Sequence, residues 1–302
     1  MELATFKGIG GYAMSLLHRT SKRNPSNAWR HIFILAMIFF ALFPIYTVLM
    51  SSVNGTGALA TGSLFPHHIV WTNYSKLFND ASIPFLRWVI NSLVLASLNA
   101  VLGVLVGLFA SYAFSRLKFR GRKTSLRLLL LIQVFPNFLA IAAIYVIMER
   151  IYHVYPSIGV GTTWGLLLVY LGGSMGSNAW LLKGFLDSIP MELDEAAKID
   201  GASSSQIFWL IFMPLTKPII VVTTLLTFIG TFNEFVLASI FLQEVKARTV
   251  AVGLESFVGS DFGANWGAFA AGSVIAAIPL VTLFLSLQRF IVGGVAAGSV
   301  KG

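Results

Sequence analysis

Six apolar runs, each about as long as a bilayer is thick, decide most of what this chain can fold into. They cover residues 32–50, 88–115, 126–148, 164–182, 219–242 and 268–288. A helix needs about 20 apolar residues to cross the hydrocarbon, and it satisfies its own backbone groups there. The expectation is an all-α membrane protein with six transmembrane helices. The fourth run is the weakest, because Gly172, Gly173 and Gly176 dilute it. The first exceeds the apolar part of a signal peptide, about 7–15 residues, and reads as an uncleaved span.

Composition agrees. Of 302 residues, 56% are hydrophobic and 11% charged, where soluble domains carry about 25% charged residues. The net charge is +9, but the basic residues cluster beside the apolar runs rather than along a polar surface, which argues against nucleic acid. Sixteen of the 21 Lys and Arg fall on segments that share a side with the N-terminus. The positive-inside rule then puts both termini in the cytoplasm. The chain divides into an N-terminal cytoplasmic segment 1–31, a six-span region 32–292 and a cytoplasmic tail 293–302. Segments 51–87, 149–163 and 243–267 lie outside, the first reading as a small ordered cap. Trp29, Trp88, Trp164, Trp180 and Trp266 fall at span ends, where an amphipathic ring prefers to sit.

Enzyme chemistry finds no purchase. With no Cys, disulfides, thiol catalysis and thiolate metal sites are excluded. No G-x-x-x-x-G-K-[ST], H-E-x-x-H or G-x-S-x-G occurs. The five histidines are scattered over tails and loops and read as surface residues, not a metal site.

The cytoplasmic segment 188–218 is unlike its neighbours: charged, and turning on one glycine. Ser188 is placed to cap a helix whose first turns hold Pro190, Glu192 and Asp194. Gly201 ends that helix, since a left-handed residue costs Gly little. Ser203 and Gln206 have capping-box spacing. A second helix then runs to about Met213 and stops near Pro214 and Pro218. On spacing alone, a plain amphipathic loop helix resting on the headgroups explains the segment equally well.

Glu195-Ala196-Ala197, then Gly201, Ile211 and Pro214, resemble the EAA loop of ABC-importer permeases, with Met213 where that loop usually has Leu. The stretches "LATGSLFPHHIVWTNY" (59–74), "YAFSRLKFRGR" (112–122), "FPNFLAIAAIY" (135–145), "TVAVGLESFV" (249–258) and "QRFIVGGVAAGSVKG" (288–302) are similar to MalG-type permeases of maltose and maltodextrin importers. The resemblance implies that this loop docks into a cytoplasmic ATPase and transmits its closure to the spans. Glu195 and Asp200 would fix or contact, Ala196 and Ala197 permit close packing, Gly201 sets the bend, and Ala202, Ile211 and Pro214 belong to the same coupling loop. It implies that Leu254, Glu255, Ser256, Phe257, Val258 and Gly259 reach an extracytoplasmic sugar-binding protein, and that the tail 293–302 inserts between two ATPase subunits. The implied partners are a second, MalF-like permease, a homodimeric ATPase, that binding protein and the lipid bilayer. This chain would bind no cofactor and catalyse nothing; ATP and Mg would sit on the ATPase. Trehalose or another oligosaccharide is the alternative substrate.

Glu234 is the one acid deep in a span, where it must face protein or a watery cavity. Gln133, Asn137 and Asn233 offer amides to a sugar path or to neighbouring helices. Pro44, Pro136 and Pro279 are candidate kinks, and Gly103-x-x-x-Gly107 and Gly172-x-x-x-Gly176 allow close helix approach. A nucleotide-independent secondary transporter would call for internal repeats or intramembrane charge pairs; Glu234 has no obvious intramembrane partner, and no clear repeat is seen.

Overall fold

The computed structural model describes residues 28–55, 65, 68–134, 137–259 and 264–299. Residues 1–27 of the expected N-terminal segment, Pro136, and Val300–Gly302 of the tail lie outside them. The chain falls into two units, 1–47 and 48–302. Eleven helices are named here: α1 (Ala28–Ser52), α2 (Thr72–Asn79), α3 (Phe85–Arg116), α4 (Arg122–Val134), α5 (Asn137–Val154), α6 (Thr163–Leu186), α7 (Glu192–Ile199), α8 (Ser204–Phe232), α9 (Val236–Phe241), α10 (Val250–Glu255) and α11 (Trp266–Ser299). Among the described residues no strand is longer than the single bridge between Asn54 and Ile69.

Five of these helices are long and apolar enough to cross a membrane, within α1, α3, α6, α8 and α11. The third expected span, 126–148, is instead two helices, α4 and α5, that meet at 103° and count as a sixth crossing only together. The fifth span is displaced. It begins at Ser204, not 219, and its helix ends at Phe232. Pro44 and Pro279 sit inside continuous helices.

α1 carries largely exposed apolar side chains, among them Phe33, Leu35, Phe39 and Phe40. In the second unit, α3 is the central mast. Its 32 residues rise roughly 48 Å at the helical pitch. Its small residues let α6 come close: a Cβ on Gly103 would lie 2.6 Å from Ser174 Oγ, and one on Gly107 2.6 Å from Asn178 Cβ. This is the close approach that small residues at that spacing permit.

The core is layered along α3. One end packs Phe85 and Trp88 with Phe228, Phe232, Leu254, Phe257 and Ala268. Trp88 is not the interfacial ring its position suggested. It is 0% exposed, its Nε1 donates to the Val245 carbonyl at 2.6 Å, and Gly253 leaves room for its ring. Next, Leu95 meets Leu166, Tyr170, Phe241 and Leu242. At the other end Val104 and Leu108 pack on Leu182 and Phe208, and Leu186, Ile189, Ala197, Ile207 and Phe212 form a separate small core under α7.

Outside the spans, Asn73 donates to the carbonyls of Ser52 and Asn54 at 3.0 and 3.1 Å, and Tyr74 OH donates to Ser52 Oγ. Asn91 donates to the carbonyls of Lys246, Ala247 and Arg248, strapping the 243–249 loop to α3.

Candidate functional site

The segment between α6 and α8 folds as two helices bent at a glycine. The first, α7, opens with Glu192, Asp194 and Glu195 in its first turn, where negative charge favours the helix dipole. Ser188 is not its cap: its hydroxyl donates back to Phe185 C=O at 2.7 Å and closes α6. Met191 begins α7 without a side-chain cap. Gly201 has φ +82°. Its N–H donates to Lys198 C=O at 3.1 Å, and Ala202 N–H donates to Ala197 C=O at 2.9 Å. That paired arrangement satisfies the last carbonyls of α7 and needs the left-handed residue between them.

The second helix opens with the expected capping box. Ser203 Oγ accepts from Gln206 N–H, and Gln206 Oε1 accepts from Ser203 N–H. It does not stop at Pro214. Ile207–Phe212 winds with the wider π pitch, Met213 N–H reaches back to Phe208 C=O, and the chain continues as α-helix through Pro218. A proline in a helix's first turn gives up a donor that is unpaired there anyway. Pro214 falls at the start of the α-helical stretch that follows the π turn, and Pro218 lies inside it, so neither proline stops the helix that runs from Ser204 to Phe232.

One buried ion pair fixes this loop. Arg116, the last residue of α3, places Nε 3.2 Å from Asp194 Oδ2. Its Nη2 donates to the carbonyls of Leu186 and Ile189 at 3.1 and 2.7 Å, its Nη1 to Met191 Sδ, and its guanidinium lies 4.8 Å over the Phe212 ring. Burial pushes the Asp194 carboxyl above its usual range, with the Arg116 charge opposing but not outweighing it. Beside it, Asp187 accepts from Ser115 Oγ at 2.7 Å and pairs with Lys183. Burial works against ionisation of Asp187, but hydrogen bonds from Lys183 and Ser115, with the charges of Lys183 and Arg122, outweigh it and hold the carboxyl below the usual range.

The sequence-predicted residues divide by exposure. Glu195, Ala196, Asp200, Gly201 and Pro214 are exposed, Ala202 and Ile211 half-buried, and Ala197 buried. Ile199, an apolar residue on the same outer face, is 87% exposed. Sequence reading missed Arg116 and Asp187 as anchors. The quoted stretch 112–122 contains Arg116, but nothing in its spacing points to α7.

Within the spans, α3, α6 and α8 line an open cleft of about 390 Å³ that carries seven polar side chains. Asn99 Nδ2 donates to Thr231 Oγ1 at 2.7 Å, Ser174 Oγ to Asn99 Oδ1 at 3.1 Å, and Thr227 Oγ1 to Asn178 Oδ1 at 3.1 Å. None of these residues was predicted; polar residues in apolar runs were the available signal. The expected path residues do not gather here. Asn233 Nδ2 bonds its own helix at Ile229 C=O, Gln133 lies against Gly176, and the side chain of Asn137 lies outside the described residues.

Glu234 follows α8 rather than lying inside a span helix. It accepts from Tyr170 OH at 2.6 Å and from the N–H groups of Leu237 and Ala238 at 2.8 and 3.0 Å. It also lines a mostly apolar cavity of about 800 Å³ with Tyr170 and residues of α4, α5, α6 and α9. In the outer stretch, Leu254, Ser256 and Phe257 are buried, Val258 and Gly259 half-buried, and only Glu255 exposed. No group of three or more His, Cys, Asp or Glu able to hold a metal occurs among the described residues.

Comparison with known proteins agrees with this picture. Residues 103–296 match the family described as binding-protein-dependent transport system inner membrane component. A relative from Bacillus subtilis (strain 168), the galactooligosaccharides transport system permease protein GanQ, is 38% identical over 272 residues, covering 89% of this chain and 94% of its own. The maltose/maltodextrin transport system permease protein MalG of Yersinia pestis is 37% identical over 283 residues, covering 90% and 92%. Among solved structures, a chain of a bacterial ABC transporter involved in import of the acidic polysaccharide alginate superposes with a TM-score of 0.70 at 21% identity, over 88% of this chain and 98% of that one. The last likeness concerns the fold.

Proposed function

The chain belongs to the family of binding-protein-dependent transport system inner membrane components, and from that premise we propose that it is the sugar-path permease subunit of an ATP-driven importer for maltose- or maltodextrin-type oligosaccharides. It is a multi-pass membrane protein and a transport subunit. ATP and Mg bind a separate, homodimeric ATPase on the cytoplasmic side, where both termini of this chain also lie. A second, MalF-like permease completes the path, and an extracytoplasmic binding protein delivers the sugar.

The observation that carries the reading is the bent loop at Gly201. Its outer face, with Glu195, Ala196, Ile199 and Asp200, is exposed, while Asp194 and Ala197 face inward. Exposed small and apolar side chains suit docking into a cleft on the ATPase. The inner face transmits the motion: Arg116 ties α7 to the end of α3, and α8 runs unbroken from the loop into the membrane. When the ATPase closes on ATP, α7 moves with it, and α3 and α8 reopen the path toward the loaded binding protein. Hydrolysis resets it. Glu255 is the exposed member of the stretch assigned to binding-protein contact, and the tail 293–302 is assigned to the groove between the ATPase subunits.

Maltodextrin as substrate is supported by the stretches shared with MalG-type permeases and by the MalG relatives. The similarity to GanQ favours a galactooligosaccharide as the second reading, with trehalose a further alternative. The test is to tag the chain, extract it gently, and identify its companions by mass spectrometry. A second permease and an ATPase present in twofold amount support the importer. A chain that emerges alone and moves solute without ATP refutes it. Adding maltotriose, trehalose or galactotriose to the assembled importer then identifies the sugar that is taken up.

A further inference from the structure

We propose that the corner between α3 and α4 is a binding site for anionic phospholipid, its cations meeting the headgroups of the leaflet read above as cytoplasmic. The proposal goes beyond the importer reading and needs only that the chain crosses a bilayer.

Five cations crowd the stretch 118–127: Lys118, Arg120, Arg122, Lys123 and Arg127. No Asp or Glu occurs between Asp80 and Glu149, so neither helix beside the corner brings a counter-charge of its own. Arg122 is the one drawn inward. Its Nη2 donates to Ser115 C=O at 3.1 Å, and its charge reaches Asp187. Lys118, Arg120, Lys123 and Arg127 are exposed, and the ion pairs among the described residues, Arg116–Asp194 and Lys183–Asp187, use none of them. Nor do these cations serve the helix. Lys and Arg in a first turn oppose the helix dipole, α4 has no acid there, and like charges four residues apart, as at Lys123 and Arg127, repel. The corner is an uncompensated positive field that an anion relieves.

The surroundings identify the anion. Lys118, Phe119, Arg120, Arg122, Lys123 and Thr124 line one open groove. Leu117 and Phe119 are exposed among the cations, and the Phe119 ring lies 5.7 Å from that of Phe114, folded onto the end of α3. Beyond Arg127, α4 presents Leu128, Leu131, Ile132 and Val134, each more than half exposed. Such a row of apolar side chains suits hydrocarbon, so the cations at its head stand at headgroup depth, where long basic side chains extend to the interface. A free nucleotide or an acidic protein surface would meet the cations and leave the apolar side chains in water. A phospholipid meets both. Clusters of about four to eight Lys and Arg next to a membrane span attract anionic headgroups in this way.

The chain has no cysteine, so Thr124→Cys, at an exposed position of the groove, gives this subunit a single thiol to carry a fluorophore. The labelled chain is assembled with its companion permease and ATPase in nanodiscs of phosphatidylcholine. Spin-labelled phosphatidylglycerol or spin-labelled phosphatidylcholine is included at rising mole fraction, and quenching is followed. Each cation is worth about fivefold in headgroup preference, so phosphatidylglycerol should reach half-quenching at a mole fraction lower by about tenfold or more. Lys118→Gln, Arg120→Gln and Lys123→Gln together should abolish that preference while phosphatidylcholine quenches as before. Lys118→Arg, Arg120→Lys and Lys123→Arg together should keep it. Equal quenching by the two lipids, or a preference that survives the Gln variant, overturns the site. So does a preference lost to excess inorganic phosphate at constant ionic strength, which assigns the corner to a free anion, or one lost when the ATPase docks, which assigns it to that partner. A chain that keeps the lipid preference but recruits no ATPase instead overturns the importer reading and leaves this site standing.

Discussion

The guanidinium of Arg116, the last residue of α3, sits 3.2 Å from the carboxylate of Asp194 on α7, with both side chains buried. The pair joins a span to the loop assigned to ATPase docking. Removing one partner leaves the other charged and buried, which typically costs about 3–5 kcal/mol. Asp194→Ala should therefore loosen α7 while the spans stay inserted. Hydrogen exchange at 192–202 should rise, and ATP-driven uptake should fall further than chain abundance. Replacing the pair together, as Arg116→Met with Asp194→Leu, should restore part of the protection, because no lone charge remains. Unchanged exchange in Asp194→Ala would show that the pair does not hold the loop.

Gly201 tests the bend more directly. A side chain there would meet nothing within 4 Å, so substitution costs only the backbone conformation at φ +82°. For an ordinary L residue that is about 1–2 kcal/mol, less for Asn. Gly201→Pro adds a forbidden φ and removes the N–H that binds Lys198 C=O. Coupled transport should decline in the order Gly, Asn, Ala, Pro, with membrane insertion constant throughout. Normal ATP-driven transport in the proline variant would end the hinge role.

How far the sequence led can be judged from particular residues. Four of the six crossings were legible at their places because apolar run length is a local property, while the third is broken in two and the fifth displaced; the Gly201 bend and the Ser203–Gln206 box, set within four residues, were legible too. Pro214 misled because a proline reads as a helix stop whether or not a π turn precedes it. Ser188 misled because a hydroxyl can close the helix behind it as readily as open the one ahead. Arg116–Asp194, Asn99–Thr231 and Asn178–Thr227 lay beyond reach. Each joins residues far apart in the chain, and no spacing rule connects them. Trp88 sits at a span end, but only the tertiary fold shows the loop that buries it.

The two loop carboxylates should respond to pH in opposite directions. The folded loop binds the Asp194 proton more tightly than the unfolded chain does, because its carboxyl is raised. Its contribution to stability is thus full below the ordinary value of 3.8 and is lost as pH rises through the raised value. Asp187 is lowered from 3.8, so its contribution is present above that value and is lost as pH falls through the lowered one. Hydrogen exchange of the loop amides in the detergent-solubilised complex should show both slopes. Asp194→Asn should abolish the falling limb above 3.8, and Asp187→Asn the rising limb below it. If either variant abolishes the other's limb, the assignment is reversed.

Glu234 offers a final, separable test. Its two oxygens take three donors, Tyr170 OH and the N–H groups of Leu237 and Ala238. It therefore caps α9 and ties it to α6. Glu234→Gln keeps one acceptor oxygen but sets an NH₂ group against the remaining donors. The Tyr170 hydroxyl can rotate to accept from it, but the Ala238 N–H cannot. Leaving that buried donor unpaired typically costs about 1–3 kcal/mol. Thermal unfolding of the assembled complex should shift down in Glu234→Gln and less in Tyr170→Phe. The double variant should lose less than the sum, since the two side chains share one bond. Transport per assembled complex should hold if the residue is a structural cap. A large loss of transport with unchanged assembly and melting would instead place Glu234 on the sugar path, through the cavity it lines.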